Sequence, residues 1–425
     1  MISWEKIKLG DISEMCLGKM LDKKKNKGEF QPYLANINVR WGNFDFSNLS
    51  QMRFEEKESE RYGLKYGDLI ICEGGEPGRC ALWKDEVPEM KIQKALHRVR
   101  IHDSHSKDFI YYRFLLAKET GELEKHFIGS TIKHLTGIGL KEVEFSFPDF
   151  TNQQKIAAVL SALDAKIELN NKINGELEAM AKLLYDYWFV QFDFPISAEQ
   201  AAAMGKPELE GQPYQSSGGK MTHNKSLNRI IPEGWEAGTA ASLFNFNPTE
   251  SLKGVTEANH FDMARIHTSG FMTSFPYRKK VSGGTKCRNG DIVVARITPC
   301  LENGKTGLIS LLNESEIATG STEFIVMRGR IQSLKAFGIC LARSPYFRKF
   351  AILNMTGTSG RKRIEAPILE TISLPIPPSG LLTKFEETFS ASLLTLTANQ
   401  KQNQHLASLR DWLLPMLMNG QVTVK

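Results

Sequence analysis

The chain has 425 residues, 41% of them hydrophobic and 24% charged, with a formal net charge of +6. This is the composition of an ordinary globular protein with room for two or three domains, and it excludes disordered, collagenous and membrane-embedded classes. The sequence pI of about 8.8 is compatible with nucleic acid but falls short of a strongly basic footprint.

Cys16, Cys72, Cys80, Cys287, Cys300 and Cys340 form no Cys-x-x-Cys pair and have no clustered histidine beside them. Neither a metal site nor a disulfide framework is expected. The opening Met1–Ile2–Ser3–Trp4–Glu5–Lys6 is not a basic-then-apolar signal. No apolar run approaches a membrane span. A cytoplasmic protein without membrane contact is expected.

Residues 1–150 read as a mixed strand-and-helix domain. Tyr66–Gly67–Asp68–Leu69–Ile70–Ile71–Cys72 is a turn followed by a buried strand, Phe109 to Leu116 a short helix, and Glu144 to Phe147 an edge strand stopped by Pro148. Then Ile156, Leu160, Leu163, Ile167, Asn170, Asn174, Leu177, Ala181, Leu184 and Trp188 fall at alternating spacings of four and three. This heptad seam predicts a long helix over 151–190. Residues 191–231 lose periodicity, gather Gly, Pro, Ser and Gln, and read as a surface linker. A second globular domain is expected over 232–378, with Arg288–Asn289–Gly290–Asp291–Ile292–Val293–Val294 matching the earlier turn and strand. A second long helix follows over 379–425, with Phe385, Phe389, Ser392, Leu396, Asn399, Asn403, Leu406, Arg410 and Leu413 at the same spacing.

The second half repeats the first. Leu140–Lys141–Glu142–Val143 returns 229 positions later as Leu369–Glu370–Thr371–Ile372, and the same offset carries Pro148 to Pro377, Asn170 to Asn399 and Asn174 to Asn403. A period this long is a duplicated domain-plus-helix module rather than a solenoid. Buried asparagines at core positions fix register and pairing. Asn170, Asn174, Asn399 and Asn403 are therefore expected to pair the two helices, antiparallel or nearly so. The fold expected is α+β, with two similar globular domains separated by two long antiparallel coiled-coil helices in a pseudo-twofold internal repeat.

Nothing in the chain looks catalytic. Gly304–Lys305–Thr306 lacks the glycine that a phosphate-binding loop needs five residues earlier, because position 299 is Pro. Asn247–Pro248–Thr249 lacks the second proline and the aromatic ring of an amino-methyltransferase motif. Pro148–Asp149 with Asp164–Ala165–Lys166 is only a loose likeness of a nuclease core, since Asp164 sits on the long helix.

Features common to both copies suit sequence-independent contacts. Gly129–Ser130–Thr131–Ile132–Lys133 recurs as Gly357–Thr358–Ser359–Gly360–Arg361, and Gly78–Arg79 as Gly304–Lys305. Hydroxyls, backbone N–H groups and cations in loops suit phosphate oxygens. The phosphate candidates are Arg79, Ser130, Thr131, Lys133, Lys305, Thr358, Ser359, Arg361, Lys362 and Arg363; a plain loop with solvated cations is the alternative. Divergent features suit discrimination. Ala35–Asn36–Ile37–Asn38 aligns with Ala264–Arg265–Ile266–His267 and reads as one strand whose outer face changes from Asn36 and Asn38 to Arg265 and His267. Asn can grip adenine and Arg guanine in bidentate fashion. Arg40 and Arg278 join them as base-reading candidates, with Trp41, Tyr277, Lys279 and Lys280 weaker; two drifting polar faces are the alternative.

The whole pattern resembles the DNA-specificity subunit of type I restriction–modification enzymes. The likeness rests on Trp4–Glu5–Lys6–Ile7–Lys8–Leu9–Gly10–Asp11–Ile12 and its counterpart Ile231–Pro232–Glu233–Gly234–Trp235, and on Phe147–Pro148 leading to Asn152–Gln153–Gln154–Lys155–Ile156–Ala157. It rests also on Leu163 to Asn170, the exit Tyr187–Trp188–Phe189, and the stretch Pro213 to Gly219. The second helix departs from the pattern, because Leu382–Thr383–Lys384–Phe385 lacks the family's Glu-Gln pair. The resemblance implies two target-recognition domains, each reading half of a bipartite asymmetric site in double-stranded DNA, with the helices setting the gap. It implies two methyltransferase subunits docked on the helices, and restriction/translocase subunits beyond them. S-adenosylmethionine, ATP and magnesium would belong to those partners and not to this chain. The rival reading is a tandem-domain scaffold that binds protein and has no DNA specificity.

Overall fold

The computed structural model describes residues 4–22, 26–331, 334–358 and 360–424. Contacts divide the chain into two compact units, Met1–Ile167 with Gln404–Lys425, and Glu168–Asn403. Each contains one globular domain and a stretch of both long helices, Phe150–Tyr185 and Ser379–Met418.

The first domain holds an antiparallel sheet in the order Ser13–Leu17, Leu96–Ile101, Leu69–Cys72, Cys80–Leu82. A second sheet runs Ser50–Phe54, Glu29–Leu34, Lys91–Ile92, with the last pairing parallel. The second domain repeats both. Its first sheet is Phe244–Phe246, Phe324–Gly329, Ile292–Ala295, Thr306–Leu308, and its second is Tyr277–Lys280, Glu257–Phe261, Ala318–Gly320, Thr285–Cys287. In each copy the strand before the long helix pairs antiparallel with the first strand of the domain: Glu5–Lys8 with Glu144–Phe147, and Glu236–Thr239 with Ser373–Ile376.

The Gly-Asp turns do the same work twice. Asp68 accepts the Lys65 N–H at 2.8 Å and binds Arg100 through two bonds of 2.8 and 2.7 Å. Asp291 accepts the Arg288 N–H at 2.9 Å and binds Arg328 through two bonds of 2.7 Å each. Both aspartates are buried, so a matched cation is required where the charge is desolvated.

The long helices follow the heptad seam. In the first unit Ile156 and Leu160 pack with Leu414 and Leu417 around Phe109, Phe114 and Phe145. There Asp164 accepts from Tyr112 Oη at 2.6 Å and from Arg410 Nη1 at 2.7 Å. In the second unit Trp188, Phe189, Phe385 and Phe337 form an aromatic cluster, with Phe189 and Phe337 at 4.9 Å edge-on. The asparagines sit between these apolar ends. Asn170, 0% exposed, donates to Gln402 Oε1 at 2.7 Å and Asn403 Oδ1 at 2.8 Å. Asn399 donates to Asn174 at 2.9 Å and Asn403 to Asn171 at 2.8 Å. As the numbers rise on one helix they fall on the other, so the pairing is antiparallel. Gly175 does not split the helix, and a Cβ there would meet nothing within 4 Å.

One expectation is corrected. Residues 191–231 are not a loose surface linker. Phe192, Phe194, Ile196 and Tyr214 are buried in the second unit. Phe194 stacks between Tyr214 at 4.7 Å and Trp235 at 5.4 Å, and Asp193 holds Ser216 through its N–H at 2.7 Å and its hydroxyl at 2.6 Å. The Gly and Ser content measures tight turns here, as at Gly219, whose Cβ would strike the Tyr214 ring at 2.5 Å. The apolar residues between them supply the burial.

Candidate nucleic-acid interface

A β-hairpin finger recurs at matching places in the two domains. In the first, Ile128 and His134 bridge antiparallel around Gly129–Ser130–Thr131–Ile132–Lys133; in the second, Thr356 and Arg363 bridge around Gly357 to Lys362. Gly129 and Gly357 take φ of +98° and +119°, the left-handed region that favours glycine. At Gly129 the Ile132 carbonyl lies 2.2 Å from where a Cβ would sit. Ser130, Thr131 and Lys133 are exposed, and so are Thr358, Arg361 and Lys362. Lys133 makes one loose ion pair with Glu124, at 3.7 Å. Ser359 lies outside the described residues. Exposed hydroxyls and cations at a hairpin tip can meet phosphate oxygens without reading sequence.

The other phosphate candidates are turned inward or already engaged. Arg79 donates to Asn36 O at 3.0 Å, Asn36 Oδ1 at 2.6 Å and Glu76 at 3.1 Å. Lys305 donates to the Met263 carbonyl at 2.7 Å. Arg363 grips Glu323 through Nε at 2.9 Å and Nη2 at 2.7 Å, which raises its pKa and lowers that of Glu323. Of the triplet 361–363, two cations are presented to solvent and the third fastens the finger.

The base-reading candidates need a larger correction. Neither segment is a strand. Asn36–Asn38 and Met263–Arg265 are single turns of 3-10 helix. Short polar side chains drive this by competing for backbone donors. Asn38 accepts the Ala35 N–H at 2.9 Å and donates to Asp45 O at 2.9 Å; Asp262 accepts from Ala264 and Arg265 at 3.0 and 3.2 Å. Asn38 is thus buried, 3% exposed, and structural. Asn36 is occupied by Arg79 and by the Gly74 carbonyl at 2.5 Å. Arg40 is split between the Ile37 carbonyl at 2.6 Å and Asp45 at 3.1 Å.

In the second domain the candidates stay closer to solvent. Arg265 lies 5.5 Å over the Tyr277 ring. His267 is exposed, with Nε2 at 2.8 Å from Ser274 Oγ; desolvation and then the charges of Arg343 and Lys305 hold its pKa low. Arg278 is on the exposed edge strand Tyr277–Lys280 and donates to Glu257 O at 3.0 Å.

Two residues without an assigned site role, Gln153 and Glu386, attach each domain to a long helix. In the first unit Gln153 Oε1 accepts the Ser106 N–H at 3.0 Å, at the start of helix Lys107–Thr120. In the second, the helix corresponding to Lys107–Thr120 is Lys335–Arg343. Its first N–H groups, on Lys335, Ala336 and Phe337, go to Glu386 at 3.1, 3.1 and 2.8 Å. The 229-residue offset puts Gln153 opposite Leu382, so the second cap has moved one helical turn along and become a carboxylate. This explains how the second helix does without a glutamine at the earlier position. Burial pushes the Glu386 pKa up to about 7, against the pull of the three N–H groups.

Among the described residues, no group of three or more His, Cys, Asp or Glu could hold a metal ion, and no helix is long and apolar enough to cross a membrane.

Residues 1–179 match the family described as type I restriction modification DNA specificity domain. Over almost the whole length the chain is 23% identical to the type I restriction enzyme MjaIX specificity subunit of Methanocaldococcus jannaschii, covering 99% of this chain and 94% of that protein. It is 21% identical to the HindI specificity subunit of Haemophilus influenzae, covering 99% and 100%. The crystal structure of a type I restriction-modification S subunit from M. genitalium shares the fold, with a TM-score of 0.56 and 16% identity over 98% of this chain and 96% of that one. Residues 1–179 thus carry a type I restriction modification DNA specificity domain, and over nearly its whole length the chain is similar to type I restriction enzyme specificity subunits.

Proposed function

We propose that this chain is the DNA sequence-specificity subunit of a type I restriction–modification complex, each globular domain reading one half of a bipartite, asymmetric site. The observation that carries this reading is the recurrence of one finger hairpin, with exposed hydroxyls and cations, in two domains whose other exposed polar residues differ. Common fingers suit a common phosphate backbone; different neighbours suit different half-sites. The paired helices set the gap between the half-sites. Two methyltransferase subunits dock along them, and restriction/translocase subunits join the assembly. The chain itself is non-catalytic and works in the cytoplasm; S-adenosylmethionine, ATP and magnesium are held by its partners. Mapping methylated adenines genome-wide, in cells making this chain with its methylating subunits, tests the proposal. A two-part motif with a fixed gap is expected. Methylation without such a motif, or turnover by the purified chain alone, would overturn it.

A further inference from the structure

We propose that the second domain carries a phosphate-binding cradle at residues 279–284, seated beside the base-reading candidates Arg265 and Arg278, with no counterpart in the first domain. A cavity of about 310 Å³ lies there, lined by Tyr277, Lys279, Lys280, Ser282, Gly283 and Gly284. Strand Tyr277–Lys280 is the exposed edge of its sheet, and neither lysine ammonium makes a hydrogen bond or ion pair with a described residue. Gly283 and Gly284 take φ of +107° and +91°. A Cβ on Gly284 would strike the Gly320 carbonyl at 2.2 Å, whereas one on Gly283 would meet nothing within 4 Å. The glycines therefore fold the chain back on the sheet while leaving the mouth of the cavity clear. The backbone N–H groups of Ser282 and Gly283 donate to no described acceptor. Successive free N–H groups in such a turn, with hydroxyls and two cations beside them, are the recurring elements of an oxyanion site.

The one carboxylate lining the cavity is already engaged: Asp262 caps Ala264 and Arg265. Glu257 stands opposite Lys280 in the strand register without closing an ion pair. Burial, and then the Lys279 charge, lower the pKa of His260 on the cavity wall, and its Nδ1 lies 2.9 Å from Thr319 Oγ1. The net local charge is positive.

The internal repeat supplies the control. Tyr33 pairs with Ser50 in the first domain as His260 pairs with Tyr277 in the second. This register sets Phe54 opposite Val281, and Glu55, Glu56 and Lys57 opposite Ser282, Gly283 and Gly284. The first domain thus turns at the same place with an acidic 3-10 helix, Glu56–Glu58, whose Glu58 accepts from the Glu55 N–H at 2.9 Å and from Lys19 at 2.5 Å. Among the described residues the two similar scaffolds carry opposite charge at this turn, carboxylates in the first domain and lysine ammoniums in the second.

The ligand chemistry is a phosphoryl group. On the proposed function, on which this inference rests, the group is a backbone phosphate of the half-site read by the second domain. The test uses the complex of the full chain with its methylating subunits, a duplex bearing the mapped methylation motif, and the variants Lys279→Ala with Lys280→Ala, and Ser282→Glu. In phosphate-ethylation interference the wild type should show a phosphate beside one half-site whose ethylation blocks binding, an effect lost in both variants. Affinity for all duplexes should fall about tenfold at low salt, and the slope of log K against log salt should flatten by roughly one to two. A parallel arm titrates the full chain with AMP. If AMP binds and loses affinity in the variants while ethylation patterns do not change, the phosphoryl site stands and its source is a small molecule. If neither arm responds, and thermal unfolding shows the variants folded, the cradle is refuted. Failure of the wild type to prefer the motif duplex would instead refute the specificity reading, and the AMP arm would still judge the cradle.

Discussion

Glu386 accepts the backbone N–H of Phe337 at 2.8 Å, with those of Ala336 and Lys335 just behind it. One carboxylate on a long helix thus covers the open end of a helix in the second domain, where the first domain uses the neutral amide of Gln153. The two attachments serve the same helix end with different chemistry, one N–H to an amide against three to a carboxylate, and the difference is titratable.

The second unit should therefore lose stability as pH rises through neutrality. The Glu386 carboxyl has an ordinary value of 4.5 and is pushed up to about 7 by burial. A proton held more tightly when folded than unfolded stabilises fully below the unfolded value, and that contribution is lost as pH climbs through the folded one. The nearby ionisable groups are Lys335, whose charge favours the ionised carboxyl, and Cys340. In Glu386→Gln the pH dependence between 5 and 8 should shrink, by an amount on the order of 1–3 kcal/mol. Thermal unfolding across that range checks it, and an unchanged slope would remove Glu386 as the cause.

Removing Asn170 should weaken the helix pair more than removing an exposed asparagine. Its amide donates twice, so Asn170→Ala strands Gln402 and Asn403, at about 1–3 kcal/mol. Its Oδ1 is buried without a partner. Asn170→Leu with Asn403→Leu should raise the melting temperature while relaxing register, because apolar seams are stronger but less particular. A lower melting temperature for that double variant would count against this account.

The fingers should act on every duplex alike. Arg361→Ala and Lys133→Ala are expected to reduce affinity for cognate and unrelated DNA equally, each flattening the salt slope by roughly one. Arg363→Ala should behave differently, since its guanidinium is bound to Glu323; a stability loss with little change in slope is expected. Filter binding from low to moderate salt separates the two outcomes.

Arg265→Ala should relax base preference in one half of the methylated motif and leave the other intact. Asn38→Ala should lower the melting temperature by about 1–3 kcal/mol equivalent, with no change of motif, because its side chain satisfies buried backbone groups. Methylation mapping of both variants decides between reading and scaffolding; a broadened motif from Asn38→Ala would reverse the assignment made for it.

The long helices were legible because a period of three and four over ten positions admits no other regular structure. The Gly-Asp turns were legible because they occur twice. The segments at Asn36 and Arg265 were not, because alternation of polar and apolar residues over four positions fits a strand and a 3-10 turn equally well. What decided between them was the hydrogen bonding of Asn38 and Asp262 to neighbouring N–H groups, and spacing carries no sign of that. Glu386 was hidden for a different reason. It follows the seam residue Phe385 and so reads as a solvated position, until the tertiary fold brings a helix start against it. The loop Ser282–Gly283–Gly284 carries a visible composition, but its free donors and the lysines beside it come together only through strand pairing.

The rungs of the helix pair hold one more implication. Under the 229-residue repeat Asn399 is the image of Asn170, and Asn403 the image of Asn174; Asn170 meets Asn403, and Asn174 meets Asn399. Each helix thus bears the complement that an inverted twin of itself would require. The amides cannot tell a tethered mate from the same helix of a stranger, and only the high local concentration set by covalent linkage favours the former. Half a molecule, cut after its first long helix, would be self-complementary.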